Sequence, residues 1–203
     1  MAVWRRAGIV DLGFYVGVNL SARQLRESTI VEDTARVLHE TGLPASALVL
    51  EVTETTIMED FEIAAKRLEG LKGLGLRLAL DDFGTGYSSL SYLRDLPMDA
   101  VKIDKSFIDR VAQDPEGAAM VRSVVELTRT LGMTSIAEGV EQGNQLSVLD
   151  ELGCDSVQGY LFAKPVSGTS APSVLQQLRG DRTAQGQPTS AAASPAGWYG
   201  RSP

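Results

Sequence analysis

The amino-acid sequence predicts an α/β protein built on a parallel β-sheet. Short apolar runs rich in β-branched residues alternate along the chain with longer segments whose apolar residues recur at helical spacing. Strands of a parallel sheet are buried on both faces and therefore read as continuous apolar runs. Neighbouring parallel strands must be joined by a crossover, most often a helix, so this alternation indicates repeated βα units. The pattern fits either a barrel or an open sheet.

Six segments are predicted as strands, and each is a short apolar run. They are residues 14–20, 48–53, 76–82, 100–104, 134–139 and 156–162.

Four segments between these strands are predicted as helices. The segment 28–40 has apolar residues at helical spacing, with Ser28 as its N-cap and Gly42 just past its end. The other three are residues 60–71, residues 116–131 and a shorter helix that starts at Asn144 as its N-cap and runs to Leu152. Each of these three helices is followed closely by a glycine, at positions 73, 132 and 153.

Composition narrows the function classes. The 203 residues, 43% of them apolar, suffice for one domain with a sizeable core. A net charge of −7 argues against binding a nucleic-acid polymer. The single cysteine, Cys154, cannot form an intramolecular disulfide, which favours a cytoplasmic location. No apolar stretch approaches the roughly 20 residues that span a bilayer, although a longer parent protein could be tethered to a membrane.

Each of the six predicted strands carries a polar or charged residue at or near its carboxyl end. They are Asn19, Glu51, Asp81 with Asp82, Lys102 with Asp104, Glu138, and Gln158. Because these ends emerge on one face of a parallel barrel or open sheet, where the active sites of such folds lie, we expect the six positions to converge.

The converging set is dominated by carboxylates, which predicts a magnesium or manganese site rather than a zinc site. The adjacent Asp81 and Asp82 would repel each other in a dry pocket unless cations neutralised them. Paired divalent ions bridged by one carboxylate can activate water for phosphoester hydrolysis without a histidine base. The only histidine, His39, lies in a predicted helix away from the strand ends, where we expect a surface role.

Several motifs in order resemble the EAL domain of bacterial signalling proteins. They are Val18-Asn19-Leu20-Ser21, Glu51-Val52-Thr53-Glu54, Asp81-Asp82-Phe83-Gly84-Thr85-Gly86, Lys102-Ile103-Asp104, Glu138-Gly139-Val140-Glu141 and Gln158-Gly159-Tyr160. The match spans about residues 3–165, and several multi-residue motifs in the right order are far more specific than a single one.

The resemblance implies a TIM-like (β/α)8 barrel that hydrolyses cyclic di-GMP to linear pGpG with two Mg²⁺ or Mn²⁺ ions. It implies that Asn19, Glu51 and Asp81 ligate the first ion, and that Asp81 bridges to a second ion held also by Asp82. It further assigns Lys102 and Glu138 to the attacking water, with Gln158 and Glu141 supporting water, second ion and substrate. Glu54 would brace the loop 84–90, which couples metal binding to homodimer contacts.

One departure from the family pattern concerns the beginning of the chain. The family's Glu-Ala-Leu motif, whose glutamate ligates metal and is followed by a phosphate-binding arginine, is absent. Six predicted strands stand where a closed barrel has eight. We therefore expect residues 1–167 to be a partial domain lacking about two strands, inactive alone, from a parent with diguanylate-cyclase-like or sensor domains. Residues 168–203 are expected to form a helix remnant and, from Gly180 onward, a disordered tail.

Two other functions remain open from the sequence. A non-catalytic module that binds cyclic di-GMP or another protein is one, but such degenerate domains usually lose metal carboxylates, and here every ligand position in the matching region is intact. A different two-metal phosphatase on a similar barrel is the other, and substrate screening would distinguish it.

Overall fold

The computed structural model describes residues 1, 4–5, 10, 13–84 and 90–184. These residues form one six-stranded parallel sheet in which the strands lie side by side in chain order. The strands are β1 (Val16–Asn19), β2 (Leu48–Thr53), β3 (Arg77–Phe83), β4 (Ala100–Ile103), β5 (Thr134–Ala137) and β6 (Ser156–Val157). Sequential order with all strands parallel is the arrangement of a (β/α)8 barrel, so the fold is an incomplete barrel of this type.

Helices lie between the strands and after the last one. They are α1 (Ala22–Arg26), α2 (Ile30–Thr41), α3 (Glu54–Met58), α4 (Phe61–Gly73), α5 (Leu90–Asp95), α6 (Lys105–Ile108), α7 (Pro115–Thr130), α8 (Gly143–Glu151) and α9 (Ala171–Ala184), with a 3₁₀ turn at Ala45–Ala47. Within the described part of the chain, no helix is both long and apolar enough to span a bilayer.

The four predicted long helices are confirmed, but two of their predicted N-caps are wrong. The helix α2 begins after Thr29 rather than at Ser28, and the side chain of Thr29 makes no capping hydrogen bond. The helix α8 begins after Gln142, two residues before the predicted Asn144. The helix α9 continues to Ala184, past Gly180, so the low-complexity composition does not end it there. The rest of the predicted tail lies outside the described residues.

Two layers of apolar side chains flank the sheet. The larger layer packs the outer sheet face against the helices and includes Leu78, Val101 and Leu68. The smaller layer lies on the inner face and contains Val49, Ala79, Ala100 and Ile136, with Tyr15 packed against it. Side chains two residues apart share a face of a strand, so the residues two positions after this inner layer project from the same face toward the carboxyl ends.

Those residues are charged in all four cases. Glu51, Asp81 and Lys102 lie within β2, β3 and β4, and Glu138 directly follows β5. The inner face of the sheet is therefore apolar at its middle and charged at its carboxyl end, and the register of the strands sets this boundary.

Candidate active site

The ammonium group of Lys102 is the centre of the site. The residue is 5% exposed, and its Nζ lies 2.5 Å from Glu51 Oε2, 3.0 Å from Asp81 Oδ1 and 2.8 Å from Glu138 Oε1. Carboxylates from the ends of β2, β3 and β5 thus converge on one cation carried by β4. The predicted clustering of these residues at one end of the sheet is confirmed.

Asp82 joins the cluster because the backbone departs from a regular strand at this residue. Successive side chains of a strand point to opposite faces, so Asp82 would ordinarily face away from Asp81. Its φ of 54° is in the left-handed region, and the register between β3 and β4 shifts between Leu80 and Phe83. Irregularities of this kind re-aim side chains beside active sites. Carboxylate oxygens of Asp81, Asp82 and Glu138 all lie within 4.8 Å of one another.

Crowding and burial shift the pKa values of this cluster. Burial raises the pKa of Glu138, with the Lys102 ammonium opposing that shift and the nearby Asp81 and Glu51 reinforcing it. Burial also raises the pKa of Asp82, and the charges of Asp81 and Asp104 add to the effect. Burial by itself would lower the pKa of Lys102, but hydrogen bonds to Glu138, Glu51 and Asp81 outweigh it and raise that pKa above its ordinary value. Lys102 is therefore a fixed cation at neutral pH.

The donor set of the cluster suits a hard divalent cation. Four carboxylates and one ammonium leave a net charge of −3 on these five side chains when all are ionised. Oxygen ligands of this kind bind Mg²⁺, Mn²⁺ or Ca²⁺, and close carboxylates favour cation binding because it relieves their repulsion. Asp81, Asp82 and Glu138 supply three such oxygens in one place.

The remaining predicted site residues lie around this centre. Asn19 is the last residue of β1, in register with Glu51. Gln158 follows β6 directly, and its backbone N–H donates to Ala137 O at 2.8 Å. Both lie at the carboxyl edge of the sheet, as predicted.

Two predicted supporting residues lie at the rim. The Oε1 of Glu141 is 2.5 Å from the Nζ of Lys105, a partner that the sequence did not indicate. Glu54 begins α3 directly after β2, and it lines a small cavity with Phe83 and Leu93. Residues 85–89 of the loop that Glu54 is predicted to brace lie outside the described residues.

Gly17 is a functional residue that sequence reasoning missed. A Cβ atom added to Gly17 would lie 1.9 Å from Glu51 Oε1. The Glu51 carboxylate therefore occupies space on β1 that only glycine leaves open. The available signal was a glycine inside a predicted strand, which often marks a close approach by another group.

His39 lies on α2 and is exposed, as predicted.

Asp104, which follows β4, caps α6 by accepting a hydrogen bond from the backbone N–H of Ser106 at 3.0 Å. The Ser106 hydroxyl also donates to it, and these bonds hold the pKa of Asp104 below its usual value.

Comparison with known proteins identifies relatives of the whole described sheet. A family model described as the EAL domain matches residues 1–165. The bifunctional diguanylate cyclase/cyclic di-GMP phosphodiesterase MucR of Pseudomonas aeruginosa is 43% identical over 166 residues, which are 82% of this chain and 24% of that protein. The chain spans about a fifth to a quarter of the length of the curated relatives that it matches.

Solved structures show the same architecture. The complex of the PaMucR phosphodiesterase with cyclic di-GMP superposes with a TM-score of 0.78 at 42% identity, covering 84% of this chain and 68% of that one. A manganese and cyclic di-GMP complex of Klebsiella pneumoniae BlrP1 superposes with a TM-score of 0.73 at 32% identity, covering 81% of this chain and 42% of that one.

Proposed function

The chain belongs to the EAL domain family, and from that premise we propose that its domain hydrolyses cyclic di-GMP to linear pGpG in bacterial second-messenger signalling. The observation that carries the proposal is the convergence of Glu51, Asp81 and Glu138 on Lys102, with Asp82 beside them, at the carboxyl end of the sheet. The names of relatives such as MucR support cyclic di-GMP as the substrate.

The proposed cofactor is a pair of Mg²⁺ or Mn²⁺ ions. Asn19, Glu51 and Asp81 would hold one ion, and Asp81 with Asp82 would hold the other. Bound there, such ions would polarise the phosphate and activate the attacking water. The oxygen-only donor set and its negative charge support this choice, as does the manganese complex of BlrP1.

The protein side chains position the reactants. Lys102 and Glu138 would orient and activate a water molecule, since the Lys102 ammonium already fixes the Glu138 carboxylate at 2.8 Å. The water oxygen bonds to phosphorus while the bond from phosphorus to the 3′ oxygen breaks, and a proton ends on that 3′ oxygen. Gln158 and Glu141 would support the water, the second ion and the substrate.

We also propose how the domain is assembled and where it acts. The loop 84–90, braced by Glu54, would contribute to a homodimer. A diguanylate-cyclase-like or sensor domain would lie elsewhere in a longer parent protein, which the name of MucR and its greater length support. The single cysteine supports a cytoplasmic location.

For the 203 residues alone we expect little turnover, because the described sheet is not closed and β1 and β6 each pair with one strand.

The test is product analysis with the full natural chain. We expect cyclic di-GMP to be converted to pGpG with Mg²⁺ or Mn²⁺, and EDTA or the substitution Asp81→Asn to abolish the conversion. Hydrolysis that survives EDTA or this substitution would contradict a two-metal mechanism. Binding of cyclic di-GMP without product would instead identify a receptor, and turnover of other phosphate esters alone would identify a different phosphatase.

A further inference from the structure

The loop between β5 and α8, residues 138–142, carries two of the acidic side chains of the site and is named here the acidic loop. Its first half is tied to the sheet by backbone hydrogen bonds. The Glu138 N–H donates to Ile103 O at 3.1 Å, and the Val140 N–H donates to Gln158 O at 3.0 Å. The second half, which carries Glu141, needs other partners.

Those partners come from one buried carboxamide on α8. Gln145 is 3% exposed. Its Oε1 accepts hydrogen bonds from the backbone N–H groups of Glu141 at 2.8 Å and Gln142 at 2.9 Å. Its Nε2 donates to the carbonyl of Ile108, the last residue of α6, at 3.2 Å. A single side chain therefore joins the acidic loop to the helix that follows the strand bearing Lys102.

The other link between the acidic loop and α6 is weaker. The ion pair between Glu141 and Lys105 joins side chains that are each 45% exposed, and such pairs contribute little because water and salt screen them. The Gln145 bond to Ile108 is buried and its two bonds to the loop are part-buried, and such bonds are costly to leave unmade, so the carboxamide restrains the loop more firmly than this ion pair does.

We propose that Gln145 is a positioning residue that fixes the second half of the acidic loop, and with it Glu141, relative to Lys102. It touches neither substrate nor metal. It acts by holding two backbone N–H groups that would otherwise turn toward water and carry Glu141 away from the site. The inference deepens the proposed function and rests on it for its catalytic consequence.

The carboxamide oxygen and the carboxamide nitrogen have separate roles. In Gln145→Leu both N–H groups of the loop lose their acceptor, whereas in Gln145→Glu a carboxylate can accept the same two bonds but cannot donate to the Ile108 carbonyl. A glutamate in the first turn of α8 is also favoured by the helix dipole. Leu149→Ala is the matched control, because Leu149 lies one turn further along α8, is fully buried and belongs to the outer core layer.

The experiment measures three quantities in the full natural chain: amide hydrogen exchange at Glu141 and Gln142, the affinity for Mn²⁺ alone, and pGpG formation. We expect Gln145→Leu to speed exchange at both amides by about tenfold or more and to weaken Mn²⁺ binding and turnover by roughly 10–100-fold, as for other residues that orient metal ligands. We expect Gln145→Glu to keep exchange at both amides within about threefold of wild type, because its carboxylate still accepts both bonds, and Leu149→Ala to lower the melting temperature without changing Mn²⁺ affinity.

A purely structural role would give a different result. Gln145→Leu and Leu149→Ala would then both melt earlier while keeping wild-type Mn²⁺ affinity, which would overturn the inference. If Gln145→Leu does not fold, loss of amide protection at Glu141 and Gln142 in Gln145→Glu would overturn it equally. Wild-type protein that neither binds Mn²⁺ nor forms pGpG would refute the proposed function instead, and amide exchange would still decide whether Gln145 holds the loop.

Discussion

Replacing Lys102 by methionine removes the one cation at the centre of four carboxylates. Its Nζ contacts Glu51, Asp81 and Glu138 within 3.0 Å, and removing one partner of a buried ion pair costs about 3–5 kcal/mol because the remaining charges lose their compensation. About 1 kcal/mol shifts the melting temperature of a domain this size by roughly 2–4 °C, so we expect Lys102→Met to melt roughly 6–20 °C below wild type in EDTA.

Divalent cations should reverse much of this loss. Without the ammonium the cluster is more negative, so Mn²⁺ should bind more tightly, and a ligand at about 100 times its Kd stabilises a protein by about 2.7 kcal/mol. The melting temperature of Lys102→Met should therefore rise more on Mn²⁺ addition than that of wild type. Its pGpG formation should still be lost, because Lys102 is also needed to orient water.

The direction of the Lys102 pKa shift predicts how the stability difference between wild type and Lys102→Met changes with pH. Contacts with carboxylates raise the pKa in the folded state, so the lysine stabilises the fold fully below its unfolded pKa of about 10.4 and loses that effect only as pH rises through the folded value. The part of the difference in unfolding free energy between wild type and Lys102→Met that comes from the lysine titration should stay constant from about pH 7 to pH 9.

The measurement is thermal unfolding by circular dichroism in EDTA and in Mn²⁺. Lys105→Met is the matched control, because Lys105 is exposed and water and salt screen its surface ion pairs, so this substitution should change the melting temperature little. Equal melting temperatures of Lys102→Met and wild type in EDTA, or a smaller response of the variant to Mn²⁺, would refute the reasoning.

Two further substitutions test metal binding by the site and stability of the sheet separately. Gly17→Ala should weaken Mn²⁺ binding, measured by titration calorimetry, by roughly 10–100-fold, because its Cβ would lie 1.9 Å from Glu51 Oε1. Gly73→Ala is the control, because a Cβ at Gly73 meets open space. Equal Mn²⁺ affinities of the two variants would count against the role given to Gly17. Asp155→Ala should lower unfolding free energy by about 1–3 kcal/mol in urea titrations, because the buried Ser135 N–H loses its acceptor at 2.8 Å. Mn²⁺ affinity should not change in that variant, and a marked change would show that the site depends on distant parts of the sheet.

Much of the sheet could be predicted from the sequence because buried parallel strands have a simple apolar signature. The strand at Leu48–Thr53 has the predicted bounds. The last strand does not, since only Ser156–Val157 are extended. Beyond them the chain turns against the acidic loop, where the Leu161 N–H donates to Val140 O. The apolar run at 156–162 therefore continues past the strand, and its Tyr160 and Leu161 are exposed.

The site could be predicted to the level of which residues converge, and no further. The pattern of polar residues at strand ends is sufficient to predict that Glu51, Asp81 and Glu138 converge. The pairing of all three with Lys102 depends on strand register, which has no local signature. The space left by Gly17 and the left-handed backbone of Asp82 are likewise set by neighbours distant in sequence.

The central claim is that the carboxylates at the end of this sheet hold divalent cations for phosphodiester hydrolysis. Anomalous scattering from manganese in crystals grown with Mn²⁺ tests it most directly. We expect anomalous density within coordination distance of the carboxylates of Asp81 and Asp82, and its loss in crystals of Asp81→Asn. Manganese bound only elsewhere on the protein, or density at this position unchanged by the substitution, would contradict the claim.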